Sequence, residues 1–142
     1  MRGAREIAEF ILSHYTGRII EIGIGHCVDV ARLIPNLIAT DIRPVSIDGV
    51  ATVCDDIFNP AEEIYRGASL LYSIRPPLEV QIAMGDLALR IGADVLIRPM
   101  DDEIADLEGF SRELICRGEA RFYLYRNRRC VDMAEGQHPE SL

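Results

Sequence analysis

Residues 18–27 read Arg-Ile-Ile-Glu-Ile-Gly-Ile-Gly-His-Cys, a β-branched run that leads directly into two glycines one residue apart. An apolar run of this length, bounded by glycines, predicts a buried strand followed by a tight turn. Residues 27–34 then carry apolar side chains at helical spacing until Pro35, which predicts a short helix. A strand, a glycine turn and a helix in this order form the opening unit of a parallel α/β sheet.

The second and third strands are predicted close together in the chain. Residues 37–40 form a short apolar run with Asp41 at its carboxyl end, and residues 50–54 form the next run. Only residues 42–49 connect them, and Pro44 interrupts this link. Parallel strands are normally joined by a dozen or more residues, usually a helix, so the link has no room for the usual crossover helix.

The rest of the chain continues the alternation of helices and strands. The spacing predicts a helix at 4–15, a second helix that starts at Asn59-Pro60 and ends at Gly67, and a third helix from Pro76-Pro77 to about Ile91. The inner face of the third helix is expected to carry Leu78, Ile82, Gly85 and Leu89. Strands are predicted at 68–74 and 94–98, followed by a hairpin of residues 113–116 and 121–125. We therefore expect an α/β fold: a three-layer, Rossmann-like, mostly parallel sheet with a C-terminal antiparallel hairpin and reduced helices. Residues 1–126 are expected to form one domain, and residues 127–142 a disordered tail.

The composition restricts the classes of function. The chain has 142 residues, of which 49% are hydrophobic, and a formal net charge of -8, which predicts one packed acidic domain and argues against nucleic acid as a partner. No apolar stretch approaches the roughly 20 residues of a membrane helix, and the start does not resemble a signal peptide. The cysteines lack zinc-ligand spacing, so we expect no metal site. We expect their thiols to be reduced and the protein to be cytoplasmic.

The glycine turn and Asp41 together predict a nucleotide site. Gly23 and Gly25 permit a tight turn and close approach of a ligand to the backbone. Asp41 follows Gly23 by eighteen positions and can accept hydrogen bonds from ribose hydroxyls. The alternative is an ordinary tight turn beside a surface carboxylate. A nicotinamide dinucleotide fits less well, because Val28 stands where its fingerprint needs a small residue and Glu21 lies close to the turn.

The segment Glu21 to Gly25 resembles the first motif of class I S-adenosylmethionine-dependent methyltransferases, in which an acid precedes the glycines. The resemblance covers roughly residues 18–125 and implies that Asp41 holds the ribose of the cofactor. It also implies that an acid just past the third strand meets the adenine amine. The cofactor-binding residues expected on this basis are Glu21, Gly23, Gly25, Asp41, Asp55 and Asp56.

More narrowly, the size of the chain and residues 73–79 (Ser-Ile-Arg-Pro-Pro-Leu-Glu) resemble a small archaeal family of uncharacterised proteins. That family has a methyltransferase-like fold, so the resemblance implies the fold and no activity. In amino-group methyltransferases an Asp, Asn or Ser precedes two prolines and an aromatic residue at this place. Arg75 and Leu78 replace the first and last of these, which argues against DNA or RNA amines as acceptors.

Two hypotheses follow from the sequence. The first is a minimal S-adenosylmethionine-binding domain, with methyl transfer to a small or acidic acceptor as its candidate reaction. Arg75 and Glu79 would face that acceptor, as an anion-binding group and a base, or would simply form a surface ion pair. The second is a non-catalytic Rossmann-like module that binds a nucleotide or nothing and acts through a homodimer or a protein partner.

Overall fold

The computed structural model describes residues 1–129 and contains one sheet of seven strands in the order β3-β2-β1-β4-β5-β7-β6. The elements are α1 (Ala4–His14), β1 (Arg18–Ile22), a 3-10 turn (Ala31–Leu33), β2 (Ile38–Asp41), β3 (Ala51–Cys54), α2 (Glu62–Tyr65), β4 (Ala68–Ile74), α3 (Leu78–Ile91), β5 (Asp94–Arg98), β6 (Phe110–Arg117) and β7 (Ala120–Asn127). Strands β1 to β5 are parallel, and β7 pairs antiparallel with both β5 and β6. The expected α/β architecture and its terminal hairpin are confirmed.

Alternation along β1 assigns its side chains to two hydrophobic layers. Ile19 belongs to the layer under α1, whereas Ile20 and Ile22 belong to the layer under α3. Glu21 is in register with Ala39 and Tyr72, so this carboxylic acid lies on the α1 face of the sheet. The strand order reverses beside β1, between β2 and β4, and the carboxyl ends of these strands form the switch point where ligands bind in such sheets.

The helices are reduced more than the sequence indicated. The helix expected over 27–34 is wrong: one 3-10 turn at Ala31–Leu33 replaces it. Eight residues between a glycine turn and Pro35 are too few for a stable helix, and burial of Val30, Ala31 and Ile34 needs only a turn. The link at 42–49 contains no helix, as expected, and the segment at 99–109 contains none either.

The second helix starts later than its sequence signal. Asn59 donates its backbone N–H to the Asp56 carbonyl in a turn, and α2 begins only at Glu62. Asp55 Oδ1 accepts the N–H of Ala61 at 3.1 Å just before the helix. The helix therefore begins later than the predicted start at Asn59-Pro60, and no side chain of the described residues caps its N-terminus.

The inner face of α3 also differs from the expected one. Leu78 and Ile82 are exposed, while Gln81, Met84 and Leu87 are fully buried. Gln81 Nε2 donates to the Glu103 carbonyl at 2.8 Å, and its Oε1 accepts the Ala105 N–H at 2.8 Å. The helix turns this amide inward because the irregular segment at 99–109 has backbone groups that need buried partners.

The chain beyond the hairpin was expected to be disordered from residue 127. Asn127 is the last residue of β7 and is buried, and its Nδ2 donates to the Ala88 and Ala93 carbonyls at 3.1 Å each. Residues 130–142, with Cys130, lie outside the described residues. In residues 1–129, no helix is both long and apolar enough to cross a membrane.

Candidate functional site

A cleft of about 220 Å³ opens at the carboxyl ends of β1, β2 and β3. It brings together four of the residues predicted from the sequence, which are Gly23, Asp41, Asp55 and Asp56. Its other lining residues are Ile22, Thr40, Ile42, Arg43, Ile57, Phe58 and Val80. The cleft thus combines carboxylates with apolar walls, a combination typical of small-molecule binding pockets.

The glycine turn leaves space above the backbone. Gly23 has φ 66° and Gly25 has φ 53°, torsions that favour glycine. No atom lies within 4 Å of the position that a Cβ on Gly23 would take. Ile24 donates its N–H to the Thr40 carbonyl at 3.0 Å, which fixes the turn against β2. A ligand could therefore approach the main chain at Gly23 closely.

Asp41 is the anchor of the turn, with its side chain buried. Its Oδ2 accepts the Gly25 N–H at 2.8 Å, and its Oδ1 accepts the Arg43 N–H at 3.0 Å. Burial raises the pKa of this carboxyl, but the two backbone hydrogen bonds and the nearby Arg43 guanidinium outweigh it and hold the pKa below its usual value. An ionised carboxylate has about four acceptor positions, so Asp41 keeps acceptor capacity for ligand hydroxyls.

The two acids after β3 have different local partners. Asp55 Oδ2 accepts the Tyr65 hydroxyl at 2.5 Å, and its Oδ1 accepts the Ala61 N–H. Burial and the neighbouring Asp55 raise the pKa of Tyr65, so this phenol stays protonated. Asp56 Oδ1 accepts the Phe58 N–H at 2.9 Å in a local turn. Asp55 is therefore committed to α2, and Asp56 is the better placed of the two to meet a ligand.

The apolar walls were not predicted from the sequence. Ile42 is 63% exposed and Phe58 is 58% exposed, although both are large apolar side chains. Together with Ile57 and Val80 they line the cleft. The available signal was that an apolar residue directly follows Asp41 and that two more follow Asp56. Exposed apolar side chains beside carboxylates are suited to the faces and edges of a purine ring.

Glu21 lies beneath the glycine turn and does not line the cleft. The residue is fully buried on the α1 face, and its Oε1 accepts the Tyr72 hydroxyl at 2.5 Å. Its Oε2 is buried without a hydrogen-bond partner among residues 1–129. Burial raises the pKa of Glu21 to about 8, against a smaller lowering by the Tyr72 hydrogen bond. The acid is thus largely protonated at neutral pH.

Three other predicted residues lie outside the cleft. Gly25 lines a neighbouring cavity of about 580 Å³ on the other side of Arg43. Arg75 and Glu79 are both exposed after β4, and the part of the chain that the structure describes has no ion pair between them. No group of three or more His, Cys, Asp or Glu side chains with metal-binding geometry occurs within residues 1–129.

Comparison with protein families places the chain among archaeal relatives. A family model described as "Uncharacterised protein family (UPF0146)" matches residues 4–127. A UPF0146 protein of Archaeoglobus fulgidus is 36% identical over 126 residues, which cover 85% of this chain and 93% of the relative. A UPF0146 protein of Methanothermobacter thermautotrophicus is 39% identical over 113 residues, which cover 76% of this chain and 82% of the relative.

Comparison with solved structures identifies methyltransferases as structural neighbours. The rRNA methyltransferase aviRa from Streptomyces viridochromogenes superposes with a TM-score of 0.61 at 11% identity, covering 92% of this chain and 86% of the neighbour. An rRNA methylase from Streptococcus thermophilus superposes with a TM-score of 0.55 at 12% identity, covering 88% of this chain and 95% of the neighbour. A putative S-adenosyl-L-methionine-dependent methyltransferase from Methanococcus maripaludis superposes with a TM-score of 0.55 at 16% identity, covering 85% of this chain and 83% of the neighbour. At these identities the likeness establishes a methyltransferase-like fold.

Proposed function

The chain belongs to the uncharacterised protein family UPF0146, and we propose that it binds S-adenosylmethionine in the cleft at the ends of β1, β2 and β3. The observation that carries this proposal is the ionised Asp41 carboxylate at the end of β2, directly beside an open glycine turn. Ribose hydroxyls would donate to Asp41. The volume of about 220 Å³ is below the roughly 300 to 1,000 Å³ of pockets that enclose a drug-sized ligand, so the cleft would hold the adenosyl part.

The remaining walls fit an adenine. Ile42, Ile57 and Phe58 would contact the faces and edges of the ring. The Asp56 carboxylate would accept a hydrogen bond from the adenine amino group. Binding would cover the apolar surface of Ile42 and Phe58 and so contribute favourably to affinity. Glu21 is buried beneath the turn and outside the cleft, so we expect it to support the turn without contacting the ligand.

The candidate reaction is methyl transfer, for which the bound cofactor supplies an electrophilic methyl group on a positively charged sulfur. Positioning supplies most of the rate in such a reaction, so the chain needs a fixed cofactor and a fixed acceptor more than a strong base. Arg75 and Glu79, exposed at the end of β4 and the start of α3, would face the acceptor. The Arg75 guanidinium would bind an anionic group there.

A binding module without turnover is the second candidate. The observation in its favour is that Asp55, one of the acids expected at the adenine, is occupied by Tyr65 and Ala61. The site would then recognise its ligand with fewer polar contacts than an enzyme of this fold. The two candidates share the cofactor cleft and differ only in whether an acceptor is methylated.

Substitution of Asp41 tests the cleft directly. Asp41→Asn should weaken binding of radiolabelled S-adenosylmethionine in equilibrium dialysis by at least about tenfold, because a hydrogen bond to a charged group contributes about 1.5 to 3 kcal/mol. Asp86→Asn, the same change at an exposed position on α3, is the matched control and should leave the affinity unchanged. Equal affinities for the wild-type protein and a folded Asp41→Asn variant would contradict the proposed site.

A further inference from the structure

A second pocket, of about 210 Å³, opens where β5 ends and β7 begins. Its lining residues are Arg98, Pro99, Asp101, Asp102, Arg121 and Tyr123. The carboxyl end of β5 and the start of its antiparallel neighbour β7 lie at the same edge of the sheet as the cofactor cleft. Strand β5 is two places from β1, so the axes of these two strands lie roughly 10 Å apart.

Two arginines and two aspartates are among the residues that line the pocket. Within residues 1–129, no ion pair joins Arg98 or Arg121 to Asp101 or Asp102. Arg98 donates from Nη1 to the Pro99 carbonyl at 2.8 Å, which orients the guanidinium and leaves its other donors available. Opposite charges that share a small pocket without pairing leave a gap for a ligand that carries both signs of charge.

The backbone around this pocket is strained at two points. Arg75 has φ 56° although it precedes a proline, and Asp101 has φ 51°. Residues other than glycine rarely adopt this left-handed conformation, and a residue before proline favours extended torsions. Arg75 donates its N–H to the Arg98 carbonyl at 2.6 Å, which couples the end of β4 to the pocket. Strain of this kind concentrates at ligand-binding sites.

We propose that this pocket binds a small zwitterion that carries a carboxylate and an ammonium group, the charge pattern of an amino acid. Arg98 and Arg121 would bind the carboxylate, and Asp101 and Asp102 would bind the ammonium. A phosphate or other simple anion would face two carboxylates, and a simple cation would face two guanidinium groups. Binding of the zwitterion does not depend on the proposed function. Its role as the second substrate, beside S-adenosylmethionine, rests on that function.

Nuclear magnetic resonance on the full chain tests the proposal. The probes are the twenty common amino acids, with acetate, methylammonium and inorganic phosphate as singly signed controls. The expected result is that at least one amino acid shifts the Arg98 and Arg121 Nε–H signals saturably, whereas the three controls at equal concentration do not. Failure of every amino acid to shift these signals, or equal shifts with acetate or phosphate, would overturn the proposal.

Variants locate the effect at the pocket. Arg121→Gln and Asp102→Asn change exposed side chains and should each weaken the amino acid response at least tenfold, while Arg66→Gln, exposed beyond α2, should not. Unaltered responses in both pocket variants would also refute the site. Titration with S-adenosylhomocysteine keeps the two claims apart. If S-adenosylhomocysteine binds but no amino acid does, only this inference is refuted. If an amino acid binds but S-adenosylhomocysteine does not, the proposed function is refuted.

Discussion

Two acids near the glycine turn look equivalent in the sequence and have opposite electrostatic roles in the structure. Asp41 at a strand end is predictable, because its position past β2 places it at the ligand edge. Glu21 lies in β1, two positions before Gly23, but its side chain faces the α1 layer, where burial keeps it largely protonated. Burial depends on what packs above the strand, so the sequence could not distinguish a ligand-contacting acid from one beneath the turn.

The buried Glu21 predicts a pH dependence of stability. Its pKa rises from an ordinary 4.5 to about 8 on folding, so between these pH values the folded chain holds a proton that the unfolded chain releases. Stability therefore falls as the pH rises through this window. Glu21→Gln should remove this contribution and raise the free energy of unfolding at pH 8, relative to wild type, by roughly 2 to 4 kcal/mol.

Urea denaturation at pH 5 and pH 8 measures this effect. Glu79→Gln removes an equivalent but exposed carboxyl and should leave the pH dependence of wild type intact. If the Glu21→Gln variant lost stability between pH 5 and pH 8 as steeply as wild type, the buried acid would not be the cause.

At the scale of elements, strands were predicted better than helices. The runs that became β1, β4 and β5 are mostly apolar and bounded by glycine, proline or charged residues, and their predicted limits match the structure. The helices depend on tertiary contacts instead. The inner face of α3 includes a polar residue, Gln81, that binds the 99–109 segment, and apolar periodicity alone selected Leu78 and Ile82.

Gln81 should stabilise the segment that carries Asp101 and Asp102. Gln81→Ala removes its buried hydrogen bonds to the carbonyls of Pro76 and Glu103 and to the Ala105 N–H. At about 0.5 to 1.5 kcal/mol for each bond, we expect the free energy of unfolding to fall by roughly 2 to 4 kcal/mol. Hydrogen exchange at the Ala105 amide should accelerate.

The neighbouring substitution Ile82→Ala truncates an exposed side chain of α3 and should change stability by no more than about 0.5 kcal/mol. Equal unfolding free energies for Gln81→Ala and Ile82→Ala would show that the amide does not anchor the segment.

At the scale of the whole molecule, the alternation of strands and helices was sufficient to predict a mostly parallel sheet. The strand order and the second pocket were not predictable, because they join distant residues. Arg98 and Arg121 are separated by the 99–109 segment and the whole of β6, and only the antiparallel pairing of β7 with β5 brings them to one pocket. The walls Ile42 and Phe58 were missed because the sequence does not show which apolar side chains stay exposed in the fold.

We propose that the cleft at the ends of β1, β2 and β3 recognises the adenosyl part of S-adenosylmethionine. Isothermal titration calorimetry of the wild-type chain with S-adenosylmethionine, S-adenosylhomocysteine and NAD tests it most directly. We expect saturable binding of the first two at one site and none of NAD, since Val28 stands where the dinucleotide fingerprint needs a small residue. Absence of binding by both adenosyl ligands, or tighter binding of NAD, would contradict it.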